Sequence, residues 1–216
     1  MSPETENLFK LVSAECRGMD VRTAVEAVLV AGADPHAVDE NGETPFNHAA
    51  RDNAPQSGRL MTLHWLQQAL AGTGRKGLND PSGAHRSTLA QYMAKWILAD
   101  EISAWLQQAT AQGLIVDQPN ASGWTPLIAA AAMGRTGTVG ALLPYYSREA
   151  LCVQTTAEYI GVYNGCAVVY RVGLNALEVA QERIFQDDGA SEALGIALWE
   201  CADMIAAAIA ASKKQA

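Results

Sequence analysis

Four histidines, four cysteines and one glycine-rich loop are the residues of this chain whose types could do chemistry. His36, His48, His64 and His85 fall in separate segments, and none stands at the close His/Cys spacing of a zinc site. Cys16, Cys152, Cys166 and Cys201 form no CxxC pair, so free thiols are expected, and a Cys152–Cys166 bridge would need an oxidising compartment. Gly72-Thr73-Gly74-Arg75-Lys76-Gly77 matches G-x-G-x-x-G, the loop that cradles a dinucleotide pyrophosphate. That chemistry needs a strand before the loop and a helix after it. Here a Leu-Gln-Gln helical pattern precedes it and Asn79-Asp80-Pro81 follows. No Ser, Cys or Asp sits in a nucleophile-elbow context. The expectation is therefore a protein that is not an enzyme, with no catalytic residue, no metal and no cofactor.

The charge balance points the same way. A net charge of −8 argues against nucleic acid as a partner, because phosphates are neutralised by clustered Lys and Arg. The charge is uneven: residues 1–52 hold ten acids and four bases, whereas 53–100 hold two acids and five bases. An acidic first third would steer a partner with a basic surface, and a plain solvated face explains the same count. The N-terminus Met1-Ser2-Pro3-Glu4-Thr5-Glu6 lacks the basic and apolar regions of a signal peptide. No uninterrupted apolar window of about 20 residues occurs. A cytoplasmic chain with no membrane contact is expected.

The elements that would position any site follow from internal repetition. Trp65-Leu66-Gln67-Gln68-Ala69 recurs forty residues later as Trp105-Leu106-Gln107-Gln108-Ala109. Gly32 to Thr44 and Gly113 to Thr125 are equal spans, each joining a helix-ending Gly to a Thr-Pro helix start. Asn120-Ala121-Ser122-Gly123-Trp124-Thr125-Pro126-Leu127 runs into four alanines and then Gly134, and Asp39-Glu40-Asn41-Gly42-Glu43-Thr44-Pro45-Phe46 runs into Ala49-Ala50. These two stretches, with Val28–Ala37 and Gly113–Leu143, resemble ankyrin repeats. Ser87-Thr88-Leu89 and Gly173-Leu174-Asn175-Ala176-Leu177 look like weaker copies. The resemblance covers most of residues 8–210. It implies an all-α ankyrin-repeat solenoid of about five helix pairs, at Leu8–Ala31 and at about 43–71, 86–112, 124–143 and 175–211. One domain over 1–216 is expected, with caps at about 1–38 and 173–216. Leu194, Leu198, Cys201, Ile205 and Ile209 form one stripe on the closing helix, whose start Ser191 can cap. Trp65, Trp96 and Trp105 lie in helical apolar patterns and read as core.

Residues 144–172 interrupt the repeat. Within them Asn164-Gly165 separates Tyr159–Tyr163 from Cys166–Tyr170, the strongest short-range signal for a β-hairpin. Insertions in repeat proteins often map to the binding face. The resemblance implies stoichiometric binding of another protein by a monomer in a 1:1 complex. The partner would be inhibited, as by an immunity-type protein, or tethered by a scaffold or effector adaptor. The expected contact residues are Asp39, Glu40, Asn41, Glu43, Asn120 and Trp124 at the turns, and Tyr159, Tyr163 and Tyr170 on the hairpin. Trp124 fills the variable slot that in ankyrin proteins points to the concave surface, so it reads either as a binding hot spot or as packing against the insertion. The three tyrosines likewise read as contact residues or as half-buried sheet residues.

Overall fold

A computed structural model describes residues 1–13, 22–51, 79, 81–83, 86–96, 99–163, 166–186 and 192–213. Residues 52–71 of the helix pair expected at about 43–71, with Trp65 among them, the loop Gly72–Gly77, and Cys16, His64, His85 and Ser191 lie outside these residues, as do the side chains of Trp96 and Cys166. The protein is mostly helical, with one small two-stranded sheet.

The chain starts its first helix earlier than Leu8. Helix α1 (Pro3–Val12) is capped by Ser2, whose hydroxyl accepts from the Thr5 N–H, and Pro3 sits in the first turn. Helices α2 (Arg22–Val30), α3 (Pro45–Arg51), α4 (Leu89–Trp96) and α5 (Ala99–Ala111) follow. Next come α6 (Pro126–Ala132) and α7 (Thr136–Leu142), then a 3₁₀ turn at Leu143–Tyr145 and the short α8 (Arg148–Leu151). Thr125 caps α6 by accepting from Ile128 N–H at 3.2 Å. Three helices end alike. Gly32, Gly113 and Gly134 each take a positive φ, and the N–H groups of each glycine and its successor return to the preceding turn. For Gly113 these bonds run from Gly113 N to Thr110 O (3.0 Å) and from Leu114 N to Ala109 O (2.9 Å).

Strands β1 (Tyr159–Tyr163) and β2 (Cys166–Tyr170) pair antiparallel, from Tyr159 opposite Tyr170 to Tyr163 opposite Cys166. That register leaves two residues for the turn, as Asn-Gly predicts, and Asn164-Gly165 themselves lie outside the described residues. Helices α9 (Ala176–Gln186) and α10 (Glu192–Lys213) close the chain.

Helices α1, α3, α4, α6 and α9 pack in sequence as one row, and α5, α7 and α10 pack as another behind it. All seven residues of α6 are buried, and its alanines 129–132 let neighbouring backbones approach closely. Leu8, Met93, Ile102, Leu106, Leu127, Leu142, Val179 and Ile205 fill the space between the rows. Each such side chain contributes about 1.5–3 kcal/mol on burial. The stripe expected on α10 is present: Leu198, Cys201 and Ile205 are buried, and Leu194 and Ile209 are partly so. By length and composition α10 is apolar enough to cross a membrane, although no unbroken apolar window stands in the sequence. Cys152 is exposed, Cys201 is buried, and both are free thiols.

The connecting turns share one construction. Asp39 Oδ1 accepts from Asn41 N–H and Glu43 N–H, both at 2.8 Å. Asn120 Oδ1 accepts from Ser122 N–H (2.9 Å) and Trp124 N–H (3.0 Å). Gly42 (φ 74°) and Gly123 (φ 75°) occupy the same left-handed slot two residues before the capping Thr, and Arg86 (φ 51°) takes it before Thr88. Successive turns touch through Gly83 N–H to Gly42 O (2.7 Å) and Thr156 N–H to Ser122 O (2.9 Å).

Candidate functional site

The turn 39–44 and the first turn of α3 bring together three groups that the linear spacing separates. His48 Nε2 lies 2.9 Å from Asp39 Oδ2 and 3.8 Å from Glu43 Oε2. The Tyr92 hydroxyl, from α4, donates to Glu43 Oε1 at 3.1 Å. The Phe9 ring of α1 meets the His48 ring edge-on, with centroids 5.2 Å apart. Gly83 makes room for this contact, because a Cβ there would stand 3.0 Å from Tyr92 Oη and 3.4 Å from Glu43 Cγ. Side-chain exposure is 25% for His48, 17% for Asp39 and 11% for Glu43, so the group is sheltered but open on one side. Burial works to raise the Asp39 pKa. The Glu43 N–H, the His48 ring and Asn41 outweigh it and hold the carboxyl below its ordinary value of 3.8.

One donor atom from each of Asp39, Glu43 and His48 lies within 4.8 Å of the others, a set able to ligate a metal ion. A search for paired His and Cys spacing passes over this arrangement. The pattern Asp-x₃-Glu-x₄-His across a turn and helix start is the signal that would have found it.

The second concentration of side chains is aromatic and internal. Trp124 is 3% exposed. Its ring lies 4.6 Å from Tyr159 and 5.2 Å, nearly perpendicular, from Tyr170. This corrects the expected surface position of Trp124, and the alternative, packing against the insertion, is what the fold adopts. Tyr170 is wholly buried and Tyr159 half-buried, so of the two readings of these tyrosines it is sheet packing, not outward presentation, that the fold adopts for both. The cause is strand alternation. Tyr159, Tyr170 and Val168 share the inner face of the hairpin over Trp124, whereas Ile160 and Val169 face out. Tyr163 is placed in β1, but its side chain lies outside the described residues. The Lys95 ammonium sits 5.4 Å over the Tyr159 ring centroid. Burial pushes the Lys95 pKa down and the Tyr159 pKa up.

Of the remaining expected contact residues, Glu40 and Asn41 are exposed at the turn tip. Glu43 is turned inward toward Tyr92 and His48 rather than outward. Asn120 is half-buried and its side-chain oxygen is committed to its own turn. A shallow cleft of about 370 Å³ lies apart from both clusters, lined by Arg171, Leu174, Glu178, Glu182 and Phe185.

No protein-family model matches the chain, and no curated protein matches it.

Proposed function

We propose that the chain is a non-enzymatic protein-binding module of the ankyrin-repeat type, and that it binds and inhibits a partner protein with a basic surface. The observation that carries this reading is the repeated turn. Asp39 and Asn120 close it with the same pair of backbone bonds, and neighbouring turns are joined backbone to backbone. A row of turns built this way offers a run of exposed tips on one edge while the helices behind supply stability. With Trp124 and Tyr170 committed to the interior, the contact surface moves to the first turn and its neighbours. Asp39, Glu40 and Asn41 form the tip there, within the segment that holds ten acids against four bases.

The experiment is capture of partners from the source cell with the wild-type chain and with a Glu40→Lys/Asn41→Arg variant, followed by an activity assay of the captured protein. The reading expects a 1:1 complex by light scattering, loss of capture in the variant, and suppressed partner activity at saturation. A captured partner that keeps full activity would convert the reading to an adaptor. Equal capture by the charge-reversed variant would remove the first turn from the interface.

A further inference from the structure

We propose that Asp39, Glu43 and His48 form a binding site for one divalent transition-metal ion of the zinc class, with Tyr92 as a positioning residue.

The donor set is one imidazole nitrogen and two carboxylate oxygens, which suits zinc, cobalt or iron better than the all-oxygen shells of calcium and magnesium. At ligand bonds of about 2.0–2.2 Å, tetrahedral donors stand roughly 3.3–3.6 Å apart. The two edges at His48, 2.9 Å from Nε2 to Asp39 Oδ2 and 3.8 Å from Nε2 to Glu43 Oε2, bracket that range. Entry of an ion therefore asks the first edge to open and the second to close by a few tenths of an ångström, and asks the third, from Asp39 to Glu43, which lies within 4.8 Å, to come into the same range. Nε2 ligates without a proton, so a neutral imidazole carries its proton on Nδ1 and an imidazolium releases the Nε2 proton to solvent. Two carboxylates and a dication leave the group neutral. The open side of the cluster leaves room for water as the fourth ligand.

The carboxylate at position 39 exceeds what the fold needs. Asn120 builds the same turn with its Oδ1 alone. What Asp39 adds is an anionic Oδ2, and that atom is aimed at His48. At the same spacing in the later repeat stand Asn120, Trp124 and Ala129, which supply no such donor set. The ligating set thus belongs to one turn and is not a by-product of the repeated construction.

The two carboxylates are also held by their other oxygens, as metal ligands usually are. Asp39 Oδ1 is fixed by two backbone N–H groups. Glu43 Oε1 takes the Tyr92 hydroxyl proton, which leaves Oε2 toward His48. Phe9 packs edge-on to the imidazole and sets its plane.

The test uses the full chain without an affinity tag, stripped with a chelator and titrated with Zn²⁺ by calorimetry and with Co²⁺ by visible absorbance. The expected result is one ion per chain, a rise in melting temperature on loading, and intense low-coordinate Co²⁺ bands. Asp39→Asn keeps the turn, as Asn120 shows, and should weaken binding at least tenfold, as should His48→Ala. Tyr92→Phe should weaken it about 10–100-fold and alter the Co²⁺ spectrum, the usual cost of losing an outer partner. No binding by the well-folded wild-type chain overturns the proposal. So does unchanged Zn²⁺ affinity in both Asp39→Asn and His48→Ala, since the ion would then sit elsewhere. If His48→Ala fails to fold, Asp39→Asn alone decides, with circular dichroism and melting confirming its fold.

Discussion

Trp124→Ala should unfold the protein more readily, not merely blunt a contact surface. An aromatic side chain of this size buries roughly 200 Å² of mainly apolar surface, which at about 25 cal/mol per Å² gives an upper estimate near 5 kcal/mol. Trp-to-Ala truncations in packed interiors cost about 3–5 kcal/mol once the cavity is counted. Trp124 meets the conditions for that range: it is 3% exposed and in ring contact with both Tyr159 and Tyr170. The assay is urea denaturation followed by far-UV circular dichroism, with the midpoint falling and the slope unchanged. Trp199→Ala is the control, because Trp199 is 51% exposed on α10 and should cost less than about 1 kcal/mol. A double cycle of Trp124→Ala with Tyr170→Ala should show coupling of about 0.5–1.5 kcal/mol from the ring pair. If Trp124→Ala costs no more than Trp199→Ala and the cycle shows no coupling, the aromatic cluster is not part of the core and the hot-spot reading of Trp124 returns.

Gly123→Ala should destabilise by more than Gly32→Ala, although both glycines have positive φ. At Gly123 the new methyl would stand 2.6 Å from Gln154 O and 2.7 Å from Thr156 N, whereas nothing lies within 4 Å at Gly32. Equal urea midpoints for the two variants would sink this account of the turn junction. Thr155→Val should cost about 1–3 kcal/mol in the same assay, because the buried Thr155 hydroxyl donates to Arg171 O at 3.0 Å and accepts from Leu174 N at 3.1 Å. A neutral Thr155→Val would show that the hairpin base is held by other bonds. For Asp39 the sign follows from its depressed folded pKa. Its favourable share of stability is complete above about pH 4 and is lost as pH falls through the lower folded value. Thermal melts of Asp39→Asn should therefore fall less steeply than wild type between about pH 4 and pH 2, and parallel curves would contradict the assignment.

Much of the fold was legible because its signals are local. Thr125 caps a helix, Gly113 and Gly134 end helices, and Asn164-Gly165 sits between two strands of equal length, all readable from a few neighbouring residues. The expected start at Leu8 misses the first turn of α1, although Ser2-Pro3 is the same cap-and-first-turn chemistry as Thr-Pro. The sites were less legible because they depend on contacts distant in sequence. Trp124 and Tyr170 are 46 positions apart, and only the path of the hairpin decides that they meet. The link from Glu43 to Tyr92 spans 49 positions, so the carboxylate at 43 reads as a surface charge until α4 is placed beside α3.

The hairpin shows how a surface-looking insertion becomes structural. A two-stranded ribbon leaves unpaired N–H and C=O groups on its edges, which is why contact with a partner was the natural expectation. Here the α9 side chain of Gln186 answers that need at Val169, accepting from its N–H at 3.1 Å and donating to its C=O at 2.8 Å, much as another strand would. The inner face is filled by Trp124, and the root is tied by Thr155. Among the described side chains of the hairpin, Ile160 and its neighbour Val169 face outward as a small apolar pair. The same turn thus carries two different loads. At Asn120–Ala129 its variable slot holds a tryptophan that anchors the insertion. At Asp39–His48 the slot holds a carboxylate that faces an imidazole. A turn closed by its own Asx oxygen needs nothing from that slot to hold its shape. The slot is therefore free for packing at one end of the molecule and for polar chemistry at the other.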